Sequence, residues 1–347
     1  MSELRINNIT NKTGDNGPIV AGISSVSSSG FMVMPSGDTA IRGVGSGRGV
    51  IASGGYPANL KTCDLIQIPT TGNATDIGSL ADGGYGRGSF SSSTRGVVVG
   101  GGGPNYGAAG EYVTISSNGG GNDFGDLDLG RRFFSHGASD NTVGMVMGGH
   151  ASPSLGTAAQ RARREIDFII IASTGDFSDF GELIRGRSDN ACCSSPTRGF
   201  TAGDQGYAPA YNETNTIEFV TIQTKGNAIL FGDLTREHYG MGSCSSTTRG
   251  IWAGGGAPLS NIIDFITMAS TGNAQDFGDL TSGSYSQLRG LSNSIRGCFA
   301  GGYISPAETN IIHFVTIAST GDATDFGDLT DGRYGPAPFS DSLGGLG

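Results

Sequence analysis

Six times the chain writes the same two phrases in the same alternation, and that repetition limits its fold more than any other feature. The first phrase is DIGSL (76–80), DFGDL (123–127), DFGEL (179–183), LFGDL (230–234), DFGDL (276–280) and DFGDL (325–329). The second is Arg48-Gly-VIASGG, Arg95-Gly-VVVGGG, VGMVMGG (143–149), Arg198-Gly-FTAGD, Arg249-Gly-IWAGGG and Arg296-Gly-CFAGG. Six copies at intervals of 46 to 56 residues mean six copies of one structural unit, and repeats of this period build arrays, solenoids or propellers.

Glycine decides which. The chain holds 62 glycines in 347 residues, about 18% against a usual ~7%. A glycine inside a helix costs about 1 kcal/mol relative to alanine, so helices are nearly excluded. Only TAAQRARRE (157–165) is expected to form a helical turn. Within one repeat, 284–294 reads as strand one, 298–302 as strand two, 311–319 as strand three and 323–329 as strand four, joined by Gly/Asn/Asp turns that suit antiparallel hairpins. In the stretch Ile263 to Met268, apolar residues fall on both sides of the strand, so both sheet faces must be covered. Small sheets stacked around an axis satisfy that. The expectation is an all-β, six-bladed β-propeller of four-stranded antiparallel blades over 48–347, with a short N-terminal arm over 1–47. Phe124, Phe180, Phe231, Phe277 and Phe326, with Ile77 in the first copy, should lie between blades. The paired glycines should let inner strands crowd the channel.

The ends of the chain complete the count. The first repeat starts at Arg48 with strand two, while the last is complete at Leu329 and leaves 331–342 over. That segment is expected to supply the missing inner strand of the first blade, closing the ring without an open edge.

Chemistry-bearing motifs are sparse. DFG here has no glycine-rich loop or strand lysine before it and recurs too often to be a kinase metal-binding triplet. The runs GGGG (100–103) and GGG (119–121) precede neither a GK[ST] nor a helix. Asp322, Asp325, Asp328 and Asp331 lack calcium-loop spacing and read as turn residues with Asx hydrogen bonds. His136, His150, His238 and His313 do not pair with metal-ligand spacing, and the five cysteines show no ligand pattern or disulfide framework. No metal, cofactor or catalytic set is expected. Arg95, Arg198, Arg249 and Arg296, at the strand one–two turn, suit guanidiniums tied to carbonyls. Tyr and Arg dominate binding hot spots, and they gather in the connectors between repeats. The candidate binding residues are therefore Tyr85, Arg87, Arg131, Arg132, Arg185, Arg187, Arg236, Tyr239, Tyr285, Arg333 and Tyr334, with His238 beside them. Arg161, Arg163 and Arg164 join them from the long loop 150–165.

A net charge of −10 argues against nucleic acid as partner. No run of 18 apolar residues suggests a membrane span, and MSELRINNIT lacks a basic-then-apolar leader, so no secretion leader is expected. The arm, polar apart from FMVMP (31–35), cannot bury enough apolar surface to fold alone and is expected to attach to another chain or to copies of itself.

The Gly-Gly strand ends followed by an aromatic resemble the kelch repeat, with Phe where kelch repeats favour Trp. That resemblance implies a binding scaffold more than an enzyme. The wording of FMVMPSGDTAIRG (31–43) and of the IDFVTIASTGNATDFGDL-like units resembles virion structural and tail-fibre proteins of tailed phages, especially those of marine cyanobacteria. It implies a non-catalytic virion component, located in the phage particle. Other virion proteins would be its partners through 1–47, a host-surface glycan or protein its ligand, and self-association is open. A glycan-cleaving propeller enzyme and a cellular kelch-type adaptor are the alternatives.

Overall fold

The computed structural model describes residues 25–26, 32–33, 47–55, 58–102, 107–128, 131–133, 136–151, 162–205, 213–256, 258–281 and 285–342. Among the described residues all regular structure is β. Six four-stranded antiparallel sheets form blades 1 to 6, each running outward from the axis. The inner strands are Ala337–Ser340, Gly88–Ser91, His136–Ser139, Ala191–Ser194, Gly242–Ser245 and Arg289–Ser292. Each packs beside the next, and the sixth returns to the first, so the ring is closed. Blade 1 draws its inner strand from the C-terminal segment, as expected: Gly49 pairs with Ser340 and Ala52 with Ala337. Of the arm, the described part is one short pairing, Ser25–Val26 with Met32–Val33. The rest of the arm lies outside the described residues.

Six separate apolar clusters fill the six blade interfaces. The repeated aromatic is buried in each: Phe124, Phe180, Phe231, Phe277 and Phe326 are at most 4% exposed, and Ile77 is also buried. Phe277 of blade 5, edge-to-face on Phe265 at 5.8 Å, packs with Phe299, Val315 and Ile317 of blade 6. The glycine that follows is dictated by the next blade. Gly125 has φ +134°, and a Cβ there would sit 2.0 Å from the Gly175 carbonyl oxygen. The same contact lets Gly175 N donate to Phe124 O at 2.7 Å and Gly321 N to Phe277 O at 2.7 Å. The Asx residues work across this joint, not within their own turns: Asp322 accepts from Asp279 N at 3.0 Å, and Asn73 from Asp328 N at 3.1 Å. DFGDL and TGN are thus two halves of one clasp between blades.

The turn arginines make the same journey at the inner side. Arg95 donates to Ile171 O and Ala172 O, Arg198 to Met268 O and Ala269 O, Arg249 to Ile317 O and Arg296 to Ile68 O, each in the following blade. Each guanidinium also lies 4.6–4.7 Å over an aromatic ring of its own blade.

Two expectations need correction. The glycine pairs end the second strands, and what crowds them is the connector into their own blade together with the one into the next. A Cβ on Gly54 would meet Arg333, and one on Gly301 would meet the Arg333 carbonyl oxygen. Gly302 N donates to Arg333 O at 2.8 Å and Gly149 N to Arg187 O at 2.8 Å. Second, the helical turn over 157–165 gives way at its described end to the strand Arg163–Ile170, because the ladder with Ser178–Arg187 takes its backbone groups. Residues 152–161 lie outside the described residues.

Candidate binding face

The connectors between blades and the loops between second and third strands share one face. A polar residue stands at the middle of each third strand: Asp64, Glu111, Asp167, Glu218, Asp264 and His313, all buried. A carboxylate in a strand covered on both faces must be compensated by donors, and in blades 1, 2, 4 and 5 the connector of the same blade supplies them. Asp64 accepts from Arg333 Nη2 at 2.9 Å and from Thr330 N and Oγ1 at 2.8 Å. Glu218 accepts from Arg187 at 2.6 Å and from Ile184 N at 2.8 Å. Glu111 accepts from Ala81 N at 2.6 Å and from Arg87 at 3.2 Å. Asp264 accepts from Thr235, and His313 meets Thr281 Oγ1 at 2.9 Å. Burial lowers the His313 pKa to about 4, leaving the imidazole neutral at ordinary pH.

The sequence-predicted residues therefore divide. Arg87, Arg187 and Arg333 are buried clamp members. Tyr285 is fully buried, edge-to-face on His313 at 4.8 Å. Arg185 pairs with buried Asp204 at 3.0 Å, Arg163 with Glu165 at 3.6 Å, and exposed Arg164 with Glu182 at 3.1 Å. Arg236 is exposed, and Tyr85, Tyr239 and Tyr334 are half-buried. Arg131 and Arg132 belong to the strand Arg131–Phe133, which pairs with His150–Ala151. The Arg161 position lies outside the described residues.

The three tyrosines rim the axial mouth. Tyr85 and Tyr334 meet edge-to-face at 5.9 Å. Immediately after each rim position stands a residue with positive φ: Gly86, Asp189, Gly240, Gln287 and Gly335, at φ 54–64°. These residues are linked in series through five blades, and the corresponding position of blade 3 lies outside the described residues. Gly86 N donates to Gly335 O, Gly335 N to Gln287 O, Gln287 N to Gly240 O and Gly240 N to Asp189 O, at 2.6–3.0 Å. Positive φ is cheap for glycine and costly for aspartate or glutamine, so Asp189 and Gln287 hold it for their side chains. Across the axis Gln287 Nε2 donates to Asp189 Oδ1 at 3.1 Å, and Arg289 Nη2 donates to Gln287 Oε1 at 2.8 Å. This network floors the mouth. Burial pushes Asp189 up to about 7, against the opposing pull of Arg289, and drags the Arg289 guanidinium down to about 10. Burial also raises Tyr334 and Tyr239, reinforced by the Asp189 charge.

At the opposite end the channel is uniform. The last residue of every inner strand is serine: Ser91, Ser139, Ser194, Ser245, Ser292 and Ser340. Each hydroxyl donates to the carbonyl oxygen of the corresponding serine one blade back, at 2.7–2.9 Å, and the six bonds close on themselves. Sequence reasoning passed over this circle, although the signal is plain: a serine stands four residues before each turn arginine and before Val143.

Away from the axis, blades 1 and 2 enclose a groove of about 300 Å³ lined by Asn59, Lys61, Asp82 and glycine backbone. Among the described residues no cluster of His, Cys, Asp or Glu has the makings of a metal centre. All five cysteines are free and buried, and burial raises each thiol pKa, Cys192 to about 12. Such thiols are packing groups, not nucleophiles. No family model matches the chain, and no curated protein does. No helix among the described residues is long and apolar enough to cross a membrane.

Proposed function

We propose that this protein is a non-catalytic component of a phage particle, whose propeller mediates assembly or recognises a host-surface glycan or protein through its connector face. The observation that carries the reading is the axial mouth, where Tyr85, Tyr239 and Tyr334 stand half-buried around the floor of Asp189, Gln287 and Arg289. Partly exposed tyrosines around a shallow polar floor present flat apolar faces and hydroxyls to a ligand at little entropic cost. The resemblance of the arm and repeat wording to phage virion and tail-fibre proteins supports the location, with 1–47 as the attachment segment.

Binding without cleavage is favoured because the connector-face carboxylates are already engaged. Hydrolysis of a glycosidic bond needs two carboxyls converging about 5–10 Å apart on a space that the sugar enters. Asp64, Glu111 and Glu218 are instead sealed under guanidiniums. The cleaving alternative has one specific point in its favour, the Asp189 carboxyl raised to about 7, a suitable general acid.

A glycan array read together with reducing-sugar release tests the choice. Retention that Tyr239→Ala and Tyr334→Ala abolish, without sugar release, is the expected result. Release that Asp189→Asn removes would make the protein a hydrolase. Particle incorporation of residues 48–347, compared with the full chain, tests the arm: the short form should fold and be left out of particles.

A further inference from the structure

Five joints of the ring are fastened alike, and the joint between blades 1 and 2 is not. At the five, the repeated phenylalanine meets an aromatic of its own third strand edge-to-face: Phe124 on Tyr112, Phe180 on Phe168, Phe231 on Phe219, Phe277 on Phe265 and Phe326 on Phe314, at 5.8–6.2 Å. Blade 1 has Ile77 and Leu65 in those places. At the rim, each of the five carries a backbone bond to the carbonyl of that phenylalanine, such as Gly272 N to Phe231 O at 2.9 Å, whereas Gly119 N makes no such bond to Ile77 O. Each also carries an Asx bond, from Asp176, Asn227, Asn273, Asp322 or Asn73. Gly120 stands in that place, against Gly78 as Asp322 stands against Gly278, and offers no side chain. One rim bond remains, Gly121 N to Ser79 O at 3.1 Å, where the counterparts measure 2.7–2.9 Å. A space of about 320 Å³ lies beside Thr114, Ser117 and Gly119–Gly121, where the fastening is missing. We infer that this joint is a hinge: the rims of blades 1 and 2 part while the other five joints and the serine circle stay closed.

Local openings draw on the elements with the fewest buried contacts and hydrogen bonds. Every loss listed for this joint lies towards the rim. At the axis the fastening is kept, with Ser91 donating to Ser340 O at 2.8 Å and Ser89 to Pro338 O at 2.7 Å. Arg48 still reaches Ile115 O at 2.7 Å, though Leu65 occupies the position where Arg95, Arg198, Arg249 and Arg296 have a ring. Blade 1 therefore swings about its inner strand. It is also the blade that receives that strand, Ala337–Ser340, from beyond the sixth repeat, and a rim able to part gives the strand room to enter.

The chain carries its own reporters. One buried thiol lies in each of five joints: Cys63 between blades 1 and 2, Cys192 between 3 and 4, Cys193 between 4 and 5, Cys244 between 5 and 6, and Cys298 between 6 and 1. A thiol so placed reacts only when its joint opens. The full chain is treated with iodoacetamide without denaturant, and alkylation at each cysteine is followed by fragment-ion mass spectrometry. Cys63 should be modified on the order of tenfold faster than the other four. Rebuilding the aromatic pair in Leu65→Phe/Ile77→Phe should slow Cys63 towards the others and leave their rates unchanged. Equal rates at all five thiols, or another thiol reacting first, overturns the hinge, as does a Cys63 rate that the rebuilt pair does not slow. If that variant does not fold, amide exchange in the parental chain decides: Gly121 N should be less protected than Ala74, Ala228, Ala274 and Ala323, which make the same bond at other joints, and equal protection refutes the hinge.

Discussion

The two ends of the channel are built by opposite rules. At the turn end six serines repeat one contact, and no blade differs from another. At the connector end a backbone series runs through five blades, but the side chains on it differ: glycine at 86, 240 and 335, Asp189 in blade 4 and Gln287 in blade 6. Uniformity marks the end that only has to hold the ring together. Individual residues appear where strain is accepted for a side chain's sake, which is the pattern expected of a functional surface.

The strongest way to break this comparison is to remove what both ends share. Deleting 331–347 takes Ser340 from the serine circle, Gly335 from the backbone series and Arg333 from Asp64. Loss of cooperative unfolding and rapid aggregation are expected, because the strand Arg48–Ala52 becomes an open edge; a truncated chain with the parental Tm would show that the ring does not depend on closure. Next in size is Arg333→Gln, which strands a buried carboxylate and should cost about 3–5 kcal/mol in urea titration. A cost near that of a surface substitution would place Asp64 in contact with water.

The connector end should also report pH. Asp189 has a folded-state pKa of about 7 against 3.8 unfolded. Between those values the folded state holds a proton that the unfolded state has released, so this contribution to stability is full below about pH 4 and is lost as pH rises through 7. A tenfold difference in proton affinity between the two states is worth about 1.4 kcal/mol, so the decline amounts to a few kcal/mol. Asp189→Asn should flatten this slope while leaving the serine end untouched. An unchanged slope would assign the pH response elsewhere. The smallest effects belong to the serines: Ser91→Ala, Ser245→Ala or Ser292→Ala should each cost about 1 kcal/mol. A value at one blade far from the other two would contradict the uniformity of that end.

Much of the fold was readable because it is written six times. Phenylalanine in a strand with both faces apolar can only go between blades, and 331–342 is the one segment left for the missing strand. The clamps were readable in principle as well. Asp64, Glu111, Asp167, Glu218 and Asp264 recur inside apolar strands, and a carboxylate so placed demands donors, which for Asp64, Glu111 and Glu218 identifies Arg333, Arg87 and Arg187 as partners and not as ligand contacts. The glycine pairs mislead because neighbours in sequence do not reveal that the connectors of two adjacent blades pass over them. Asp189, Gln287 and Arg289 carry no repeat signal at all. Each occurs once, and only the curvature of the ring turns blade 4 and blade 6 towards each other past blade 5.

That closure has a consequence during biosynthesis. Gly49 pairs with Ser340, which the ribosome adds 291 residues later. At usual rates of about 5–20 residues per second, the second strand of blade 1 waits roughly 15–60 s with one flank unpaired. Blades 2 to 6 can assemble in order behind it as an open arc. Only synthesis of Ala337–Ser340 lets the arc become a circle, so a nascent chain stalled before that strand exposes a strand edge to any neighbour on the same message.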